Sequence, residues 1–272
     1  MITDVHCHPW DLNEYLPGAE NERRETGTAA AASSWNLEQF AYNEGLAKKA
    51  IADGGPPLYC CFALHPQLSS DASFPFREGI ELLESLGAEG RLDAVGETGF
   101  DLYAEEYRAG EKIQDEIFIR HLEAALRYGL PVILHVRRAM HKIFPFSAEL
   151  KKLPAVIFHS WPGTGGEGEA LLRRGVNAFF SFGTTVLKNH RKAMASAALF
   201  PADRILFETD APYQPLRGKT FSSWRDLDAI CLGIAALRKE AGSSCSSPEE
   251  LKEQTSANFF RIFTTRPFAG GR

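Results

Sequence analysis

The feature that most constrains the fold of this chain is an alternation of short apolar runs with longer amphipathic segments. Eight apolar runs lead into polar loops: "MITDVH", "GTAAAASSW", "PLYCCFALHP", "RLDAVGETG", "LPVILHV", "PAVIFHSW", "VNAFFSFG" and "RILFETDAP". The segments between them, such as "QDEIFIRHLEAALRYG", have helical periodicity and often stop at a glycine, which commonly follows a helix end. Strands that alternate with helices indicate parallel βαβ units, and eight of them predict an α/β fold, the (β/α)8 TIM barrel.

The weakest of these predicted strands is "GTAAAASSW", because alanine favours helix over strand. Beyond the last strand, helices are predicted around "SSWRDLDAICLGIAALRKEAG" and "PEELKEQTSANFFRIF", with Ser247 as the N-cap of the second. A barrel is a common single-domain solution for 272 residues, and we find no repeat or linker in the chain. We therefore predict one domain over residues 1–272, with additional C-terminal helices.

The composition is that of an ordinary globular protein, with 44% hydrophobic and 24% charged residues. No apolar run approaches the roughly 20 residues that span a bilayer, and no signal peptide is recognisable, so we expect a cytoplasmic protein without a membrane partner. The net charge of −5 argues weakly against a protein that coats nucleic acid, but it leaves room for an enzyme with a local basic patch.

The five cysteines form neither a CxxC pair nor a disulfide framework. Cys7 is expected to face away from the histidines on either side of it.

Histidines and carboxylates stand at the ends of the predicted strands. Seven such residues end apolar runs: His6, His8, His65, Glu97, His135, His159 and Asp210. In a (β/α)8 barrel the C-terminal strand ends meet at one mouth, where the active sites of this fold lie. Alternation along the first strand also predicts that Asp4, His6 and His8 share a face. Each histidine alone could be a hydrogen-bonded core residue, but as a set they indicate a bound cation, which keeps imidazoles neutral.

Six motifs give the chain a resemblance to a known family. In order and approximate spacing, "DVHCH", "ALHP", "GETGFD", "PVILHVR", "HSWPG" and "ETDAP" resemble the motifs of the TatD-type deoxyribonucleases, a branch of the amidohydrolase-like metal-dependent hydrolases. The resemblance runs from Met1 to about Phe263, and "NFFRIF" is similar to the family's Asn-x-x-x-x-Phe ending. It implies a TIM-barrel hydrolase with one or two divalent metal ions that cleaves phosphodiester bonds in DNA.

The resemblance also implies roles for single residues. Carried over by position, one metal ion would be held by His6, His8, Glu97 and Asp210, and the second by Glu97, His135 and His159, with Glu97 bridging. His65 matches a position near the substrate. Three stretches depart from the family pattern: "HSWPG" in place of His-Cys-Phe-x-Gly, "RGKTFSSW" after "APYQP", and the short polar stretch 11–27, which leaves little room for a full first helix.

These residue types permit metal-assisted hydrolysis. A divalent ion lowers the pKa of a bound water toward ~7 and offsets the charge that develops on phosphoryl oxygens. Glu97 is suited to bridging because it has two oxygens, and Asp210 is our candidate for both ligand and general base. The mixed set of imidazoles and carboxylates suits Zn²⁺, Mn²⁺, Co²⁺ or Fe²⁺ better than Mg²⁺, which prefers oxygen ligands.

Three basic clusters follow strand ends and are expected on the mouth side: "RRAMHK" (137–142), "KNHRK" (188–192) and "RGK" (217–219). Such residues usually belong to a solvated surface. The first two clusters, however, would lie near helix N-termini, where each cation is unfavourable by roughly 0.3–1 kcal/mol, and this favours an anionic substrate. Arg137 is our first candidate for a phosphate contact. The leading hypothesis is a DNA exonuclease with little base specificity, acting on single-stranded DNA in preference to duplex.

Two alternatives stay open. The same metal centre could cleave an amide, ester or lactone in a small molecule, because this scaffold hosts many hydrolases. The barrel could also be a catalytically inactive interaction scaffold, which the complete set of ligand positions disfavours; no protein partner is implied. The stretch "GTGGEG" (163–168) satisfies G-x-G-x-x-G, but it follows the sixth strand and lacks an acidic residue for a ribose, so we predict no nicotinamide site. Its backbone N–H groups could still help to hold a substrate phosphate.

Overall fold

The computed structural model describes residues 1–71 and 73–263. Eight strands form one sheet in sequence order, and every hydrogen-bonded pair of neighbours is parallel. The strands are β1 (Thr3–Cys7), β2 (Ala29–Ala32), β3 (Leu58–Phe62), β4 (Ala94–Asp101), β5 (Val132–Arg137), β6 (Val156–Phe158), β7 (Ala178–Phe182) and β8 (Ile205–Phe207). All eight predicted strands are confirmed. The alanine-rich β2 is fully buried, so tertiary packing overrides the weak strand preference of alanine.

The helices lie between the strands and after the last one. They are α1 (Pro9–Tyr15), α2 (Ala19–Thr26), α3 (Leu37–Ala52), α4 (Phe76–Ala88), α5 (Glu105–Ala109), α6 (Glu111–Tyr128), α7 (Met140–Ile143), α8 (Ser147–Leu150), α9 (Gly165–Arg173), α10 (Arg191–Leu199), α11 (Asp226–Glu240) and α12 (Pro248–Phe263). In the short polar stretch 11–27 the first helical connection is split into α1 and α2. The predicted N-cap of α12 is confirmed, because Ser247 Oγ accepts the backbone N–H of Glu250 at 3.2 Å.

The first and last strands meet at the C-terminal end of the barrel. The backbone N–H of Asp210 donates to the carbonyl oxygen of His6 at 3.0 Å, and that of His8 donates to the carbonyl oxygen of Ala211 at 2.7 Å. The buried carboxylate of Asp4 accepts the backbone N–H of Thr209 at 3.0 Å and its hydroxyl at 2.6 Å. These bonds make a nearly closed barrel, which confirms the predicted (β/α)8 fold.

The opposite end of the barrel is covered by α12. Phe259 and Phe263 pack on Tyr59, with ring centroids 5.5 and 4.9 Å apart, in a cluster formed with inner strand residues. Asn258 anchors the helix by donating to the carbonyl oxygens of Ala202 and Ile205, which precede or begin β8. The Asn-x-x-x-x-Phe ending thus has a structural explanation: the amide fixes α12 and the rings fill the barrel floor.

Two predictions about the whole chain, the absence of a membrane span and the single domain, can be compared with the described residues only. Among residues 1–71 and 73–263, no helix is long and apolar enough to cross a bilayer. The prediction of a single domain over residues 1–272 includes residues 264–272, which lie outside the described residues, and it stays a prediction.

Candidate metal centre

The residues predicted as metal ligands come together around the carboxylate of Glu97 at the C-terminal mouth of the barrel. Glu97 Oε2 lies 3.1 Å from His6 Nε2 and 3.7 Å from His8 Nε2. The other oxygen, Oε1, lies 2.7 Å from His135 Nδ1 and 2.9 Å from His159 Nε2. The two oxygens of Glu97 therefore face two different pairs of imidazoles.

Asp210 joins the cluster on the side of the first pair. Its Oδ1 lies 3.4 Å from both His6 Nε2 and His8 Nε2, and these two nitrogens are 3.1 Å apart. Three groups of ligand atoms lie within 4.8 Å of one another: His6, His8 and Glu97; His6, His159 and Asp210; and His65, Glu97 and His135. Ring nitrogens and carboxylate oxygens that converge in this way fit a divalent cation, which would give each of them a partner.

Irregular strand pairing aims two of these side chains into the mouth. The register shifts between Asp4 and Cys7 in β1, and between Val95 and Thr98 in β4. The first interval contains His6 and the second contains Glu97, and such irregularities re-aim side chains. The prediction that Asp4 shares a face with His6 and His8 stays a prediction; the carboxylate of Asp4 bonds Thr209 and is in none of the three groups of ligand atoms.

The carboxylates and imidazoles of the cluster shift one another's pKa values toward their charged forms. Burial raises the pKa of Glu97, but the charges of His159, His6 and His65 outweigh burial and hold that pKa well below its usual range. Burial likewise raises the pKa of Asp210, yet the hydrogen bonds from His6 and His8 help to hold that pKa below its usual range. Burial alone would lower the pKa of His6, whereas the charge of Glu97 and the contact with Asp210 raise it to about 9. The carboxylates are thus ionised at neutral pH and attract positive charge, whether protons on imidazoles or a metal ion.

Two imidazoles are oriented by side chains that the sequence analysis did not assign. Ser33 Oγ lies 3.1 Å from His6 Nδ1, and Asp101 Oδ2 lies 3.2 Å from His135 Nε2. Burial raises the pKa of Asp101, but its hydrogen bonds with His135 and Gln67 outweigh burial and lower the pKa to about 2. Such outer partners fix the ring orientation of metal-binding histidines. Asp101 ends the quoted motif "GETGFD", and this position at a strand end is the signal that could have identified it.

Glu208 is the second unassigned carboxylate, and it lies beside His159. Its Oε1 is 3.5 Å from His159 Nδ1 and accepts the backbone N–H and the hydroxyl of Ser160, at 2.8 and 2.6 Å. Gln214 connects this group to Asp210 by donating to Ser160 Oγ and Asp210 Oδ2, both at 2.7 Å. Glu208 is fully buried and begins the motif "ETDAP".

His65 lies at the edge of the cluster. Its Nε2 is 3.4 Å from Glu97 Oε1 and 3.4 Å from His135 Nδ1, and its Nδ1 accepts the backbone N–H of Gln67 at 3.2 Å. It also lines the cleft described next. Its position therefore permits contact with either a substrate or a metal ion.

A cleft of about 1070 Å³ opens above the cluster. Two of the basic clusters contribute to its walls, with Arg137 and Arg138 from the first and His190 and Lys192 from the second. The third does not line it, and Lys219 instead contacts the buried carboxylate of Asp226.

Two other sequence patterns are structural. In "GTGGEG" Thr164 and Glu167 form a capping box at the start of α9, and residues 163–168 do not line the cleft, so the structure gives no support to a phosphate contact there. Cys7 faces away from the neighbouring histidines, as predicted, with its thiol 3.5 Å from the carbonyl oxygen of Ala31. Burial raises the pKa of the Cys7 thiol, as it does for Cys60 and Cys61.

Comparison with known proteins gives consistent matches. The family model described as TatD related DNase matches residues 3–264. The Escherichia coli K12 protein named uncharacterized metal-dependent hydrolase YjjV is 30% identical over 79% of this chain and 81% of its own. A protein of Cronobacter sakazakii named 3′-5′ ssDNA/RNA exonuclease TatD is 30% identical over 74% of each chain. The crystal structure of YjjV, described as a TatD homolog, superimposes with a TM-score of 0.77 at 25% identity and covers 97% of this chain and 98% of that one.

Proposed function

Because the chain belongs to the TatD-related DNase family of metal-dependent hydrolases, we propose that it hydrolyses phosphodiester bonds in DNA as an exonuclease, with single-stranded DNA as its favoured substrate. The observation that carries this proposal is the position of Arg137 and Arg138 in the cleft above the Glu97 cluster. Cations beside a candidate metal centre suit a substrate whose backbone is anionic. The name of the Cronobacter relative, 3′-5′ ssDNA/RNA exonuclease, supports the same substrate class.

The donor set fits one or two divalent ions. Two groups of side chains would hold them: His6, His8, Glu97 and Asp210 for the first ion, and Glu97, His135 and His159 for the second. The mixture of nitrogen and oxygen donors favours Zn²⁺, Mn²⁺ or Co²⁺ over Mg²⁺. When bound, such ions supply Lewis-acid charge for the phosphoryl oxygens and make a water molecule more acidic.

Asp210 is the proposed general base. Its carboxylate is ionised, and the hydrogen bond from Gln214 to Oδ2 fixes its orientation while Oδ1 faces His6 and His8. It can therefore accept a proton from an attacking water molecule without moving away from the centre. Glu97 would act by holding both halves of the centre at a fixed separation.

Substrate binding is assigned to the rim of the cleft. His65 lies between the cluster and the open cleft, and Arg137, the last residue of β5, lines the wall of the cleft. Both side chains would contact phosphate oxygens, which position a strand without reading its bases. Little base specificity is therefore expected.

A substrate panel tests the proposal. Purified protein is incubated with Zn²⁺, Mn²⁺ or Mg²⁺ and with end-labelled single-stranded DNA, duplex DNA, RNA, and small ester, amide and lactone substrates. We expect stepwise shortening of single-stranded DNA that a chelator abolishes and that His135→Ala lacks. Turnover of an ester, amide or lactone with DNA left intact would contradict the proposal and favour the small-molecule alternative.

The cytoplasmic location stays a prediction, and cell fractionation tests it.

A further inference from the structure

We infer that Tyr103 is a positioning residue that holds Arg137 and Arg138 together as a clamp for a phosphate neighbouring the scissile one. The inference rests on the proposed function, since it concerns how a DNA strand is held at the same centre. It assigns a function to Tyr103 and Arg138, and it gives Arg137 a partner. The three side chains all line the cleft.

The geometry is a double cation–π contact. The guanidinium carbon of Arg137 lies 3.7 Å from the centre of the Tyr103 ring, and that of Arg138 lies 4.6 Å from it. A guanidinium that rests on a ring uses its face, so its N–H groups at the edge stay available for a phosphate. The Tyr103 side chain is exposed and provides the common support for both cations.

The two guanidinium groups have no carboxylate partner in the part of the chain that the structure describes. In residues 1–71 and 73–263 no carboxylate lies within ion-pair distance of Arg137 or Arg138, whereas several other arginines have such a partner, for example Arg91 with Glu44 at 2.8 Å. Two like charges held on one ring repel each other, and an anion between or beside them removes that repulsion. A phosphate group, with its several acceptor oxygens, suits two sets of N–H donors.

The backbone at Arg138 brings the two side chains together. Consecutive residues of a strand point to opposite faces, so Arg137 and Arg138 would ordinarily diverge. Arg138 has φ of 57°, in the left-handed region that non-glycine residues seldom adopt. This conformation directs its guanidinium to the same ring as its neighbour, and backbone strain of this kind is concentrated at functional sites.

The clamp is tied to the candidate metal centre through Asp101. In the pairing of β4 with β5, Asp101 lies opposite Arg137, and the N–H of Leu102 donates to the carbonyl oxygen of Arg137 at 2.9 Å. Asp101 Oδ1 accepts the backbone N–H of Tyr103 at 2.9 Å, while its Oδ2 contacts His135. The backbone of Tyr103 is therefore anchored to the same carboxylate that contacts His135, which places the start of its side chain near the candidate metal centre, as a binding site for an adjacent phosphate requires.

The test compares an oligonucleotide with a substrate that has a single phosphate. KM and kcat are measured for a single-stranded DNA oligomer and for bis(p-nitrophenyl) phosphate, at several salt concentrations. Tyr103→Leu should raise KM for the oligomer about tenfold and lower its salt dependence, because a strand that loses phosphate contacts releases fewer counter-ions. It should leave kcat for the small substrate unchanged. Tyr103→Phe, which keeps the ring, should behave as the wild type, and so should Tyr15→Leu at an exposed tyrosine outside the cleft.

The arginine variants complete the design. Arg137→Ala and Arg138→Ala should each raise KM for the oligomer, and adding Tyr103→Leu to either should change KM by no more than about twofold, because contacting residues act as one unit. The inference would be overturned if Tyr103→Leu left KM for the oligomer unchanged, or if Tyr103→Phe raised that KM as much as Tyr103→Leu does. Neither result would contradict the proposed hydrolysis of DNA. If Tyr103→Leu fails to fold, an unchanged oligomer KM in Arg138→Ala would overturn it instead. A wild-type protein that hydrolyses no DNA with any of the metals would overturn both the proposed function and this inference.

Discussion

A Cβ atom added to Gly99 would lie 2.2 Å from the carbonyl oxygen of His135, the residue opposite Gly99 in the pairing of β4 with β5. Gly99 also has φ of 137°, a conformation that residues with a side chain rarely adopt. Only glycine therefore allows β4 to pass this close to the backbone of a candidate metal ligand. The position of Gly99 in "GETGFD" is explained by this approach.

Gly99→Ala should lower the free energy of unfolding by at least about 2 kcal/mol, because it combines backbone strain with a clash against main-chain atoms. Urea denaturation followed by circular dichroism measures the effect. Gly45→Ala is the matched control, since Gly45 lies in α3 with open space around its Cβ position. That variant should gain roughly 0.5–1 kcal/mol from helix propensity. Similar stability of the two variants would contradict the role of Gly99.

Arg238 should be essential for stability although it is far from the cleft. It is buried, and its guanidinium donates to the carbonyl oxygens of Ala197, Ala198, Phe200, Ser244 and Cys245. Arg238→Met would leave these acceptors without their donor, so we expect a loss of about 3 kcal/mol or more in the free energy of unfolding. Arg120→Met, at an exposed residue whose guanidinium pairs with Glu123, should stay within about 0.5 kcal/mol of the wild type. An equally small effect at Arg238 would refute this prediction.

His121 should make the protein less stable as the pH falls. Its Nε2 accepts the backbone N–H of Leu64 at 2.9 Å, and its Nδ1 lies 2.6 Å from the carbonyl oxygen of Ile117, so the buried ring is neutral. Burial lowers its pKa from 6.5 to about 4. In the unfolded chain His121 binds a proton below about pH 6.5, whereas in the folded chain it does so only near pH 4. The free energy of unfolding is therefore unaffected by this group above pH 6.5. It falls between pH 6.5 and pH 4, by roughly 3 kcal/mol in all.

Urea unfolding of the wild type and His121→Gln at pH 7.5 and 4.5 checks this prediction. The glutamine oxygen can still accept the N–H of Leu64, and the variant should lose less stability between the two pH values than the wild type does. His141→Gln, at an exposed histidine, should keep the wild-type pH dependence. If His121→Gln also kept it, the assignment of this titration to His121 would be wrong.

Asp210→Asn tests the proposed general base. The amide keeps the size of the side chain but accepts a proton poorly, so kcat for DNA at saturating metal should fall by about 10²–10⁴-fold. Asp203→Asn, at an exposed aspartate, should leave kcat unchanged. Turnover by Asp210→Asn at the wild-type rate, with metal content also unchanged, would remove the role of general base from Asp210.

The fold and the membership of the cluster could be read from the sequence for one physical reason. Apolar runs mark the strands, and in a parallel barrel the ends of all strands meet at one mouth. His6 and Asp210 could therefore be placed together although they stand at opposite ends of the chain. The alanine-rich β2 was the weakest strand because its strand conformation depends on packing rather than on local preference.

Other features depend on contacts that one sequence does not reveal. The role of Glu208 depends on its approach to His159 from a neighbouring part of the barrel, and that of Asp101 depends on the pairing of β4 with β5. The ion-pair partners of single lysine and arginine residues could not be predicted from the sequence either. Lys142 belongs to the first basic cluster, but it pairs with Glu111 and Asp115, whose positions are fixed by the packing of α6.

Titration of the metal-free protein with Mn²⁺ or Zn²⁺, followed by calorimetry and by metal analysis, tests the central claim most directly. The wild type should bind one or two ions per chain. Glu97→Gln should weaken binding by more than the roughly 10–100-fold that loss of an outer partner costs, because each Glu97 oxygen faces its own pair of imidazoles. An absence of binding by the wild type, or equal binding by the wild type and Glu97→Gln, would contradict the assignment of this cluster as a metal centre.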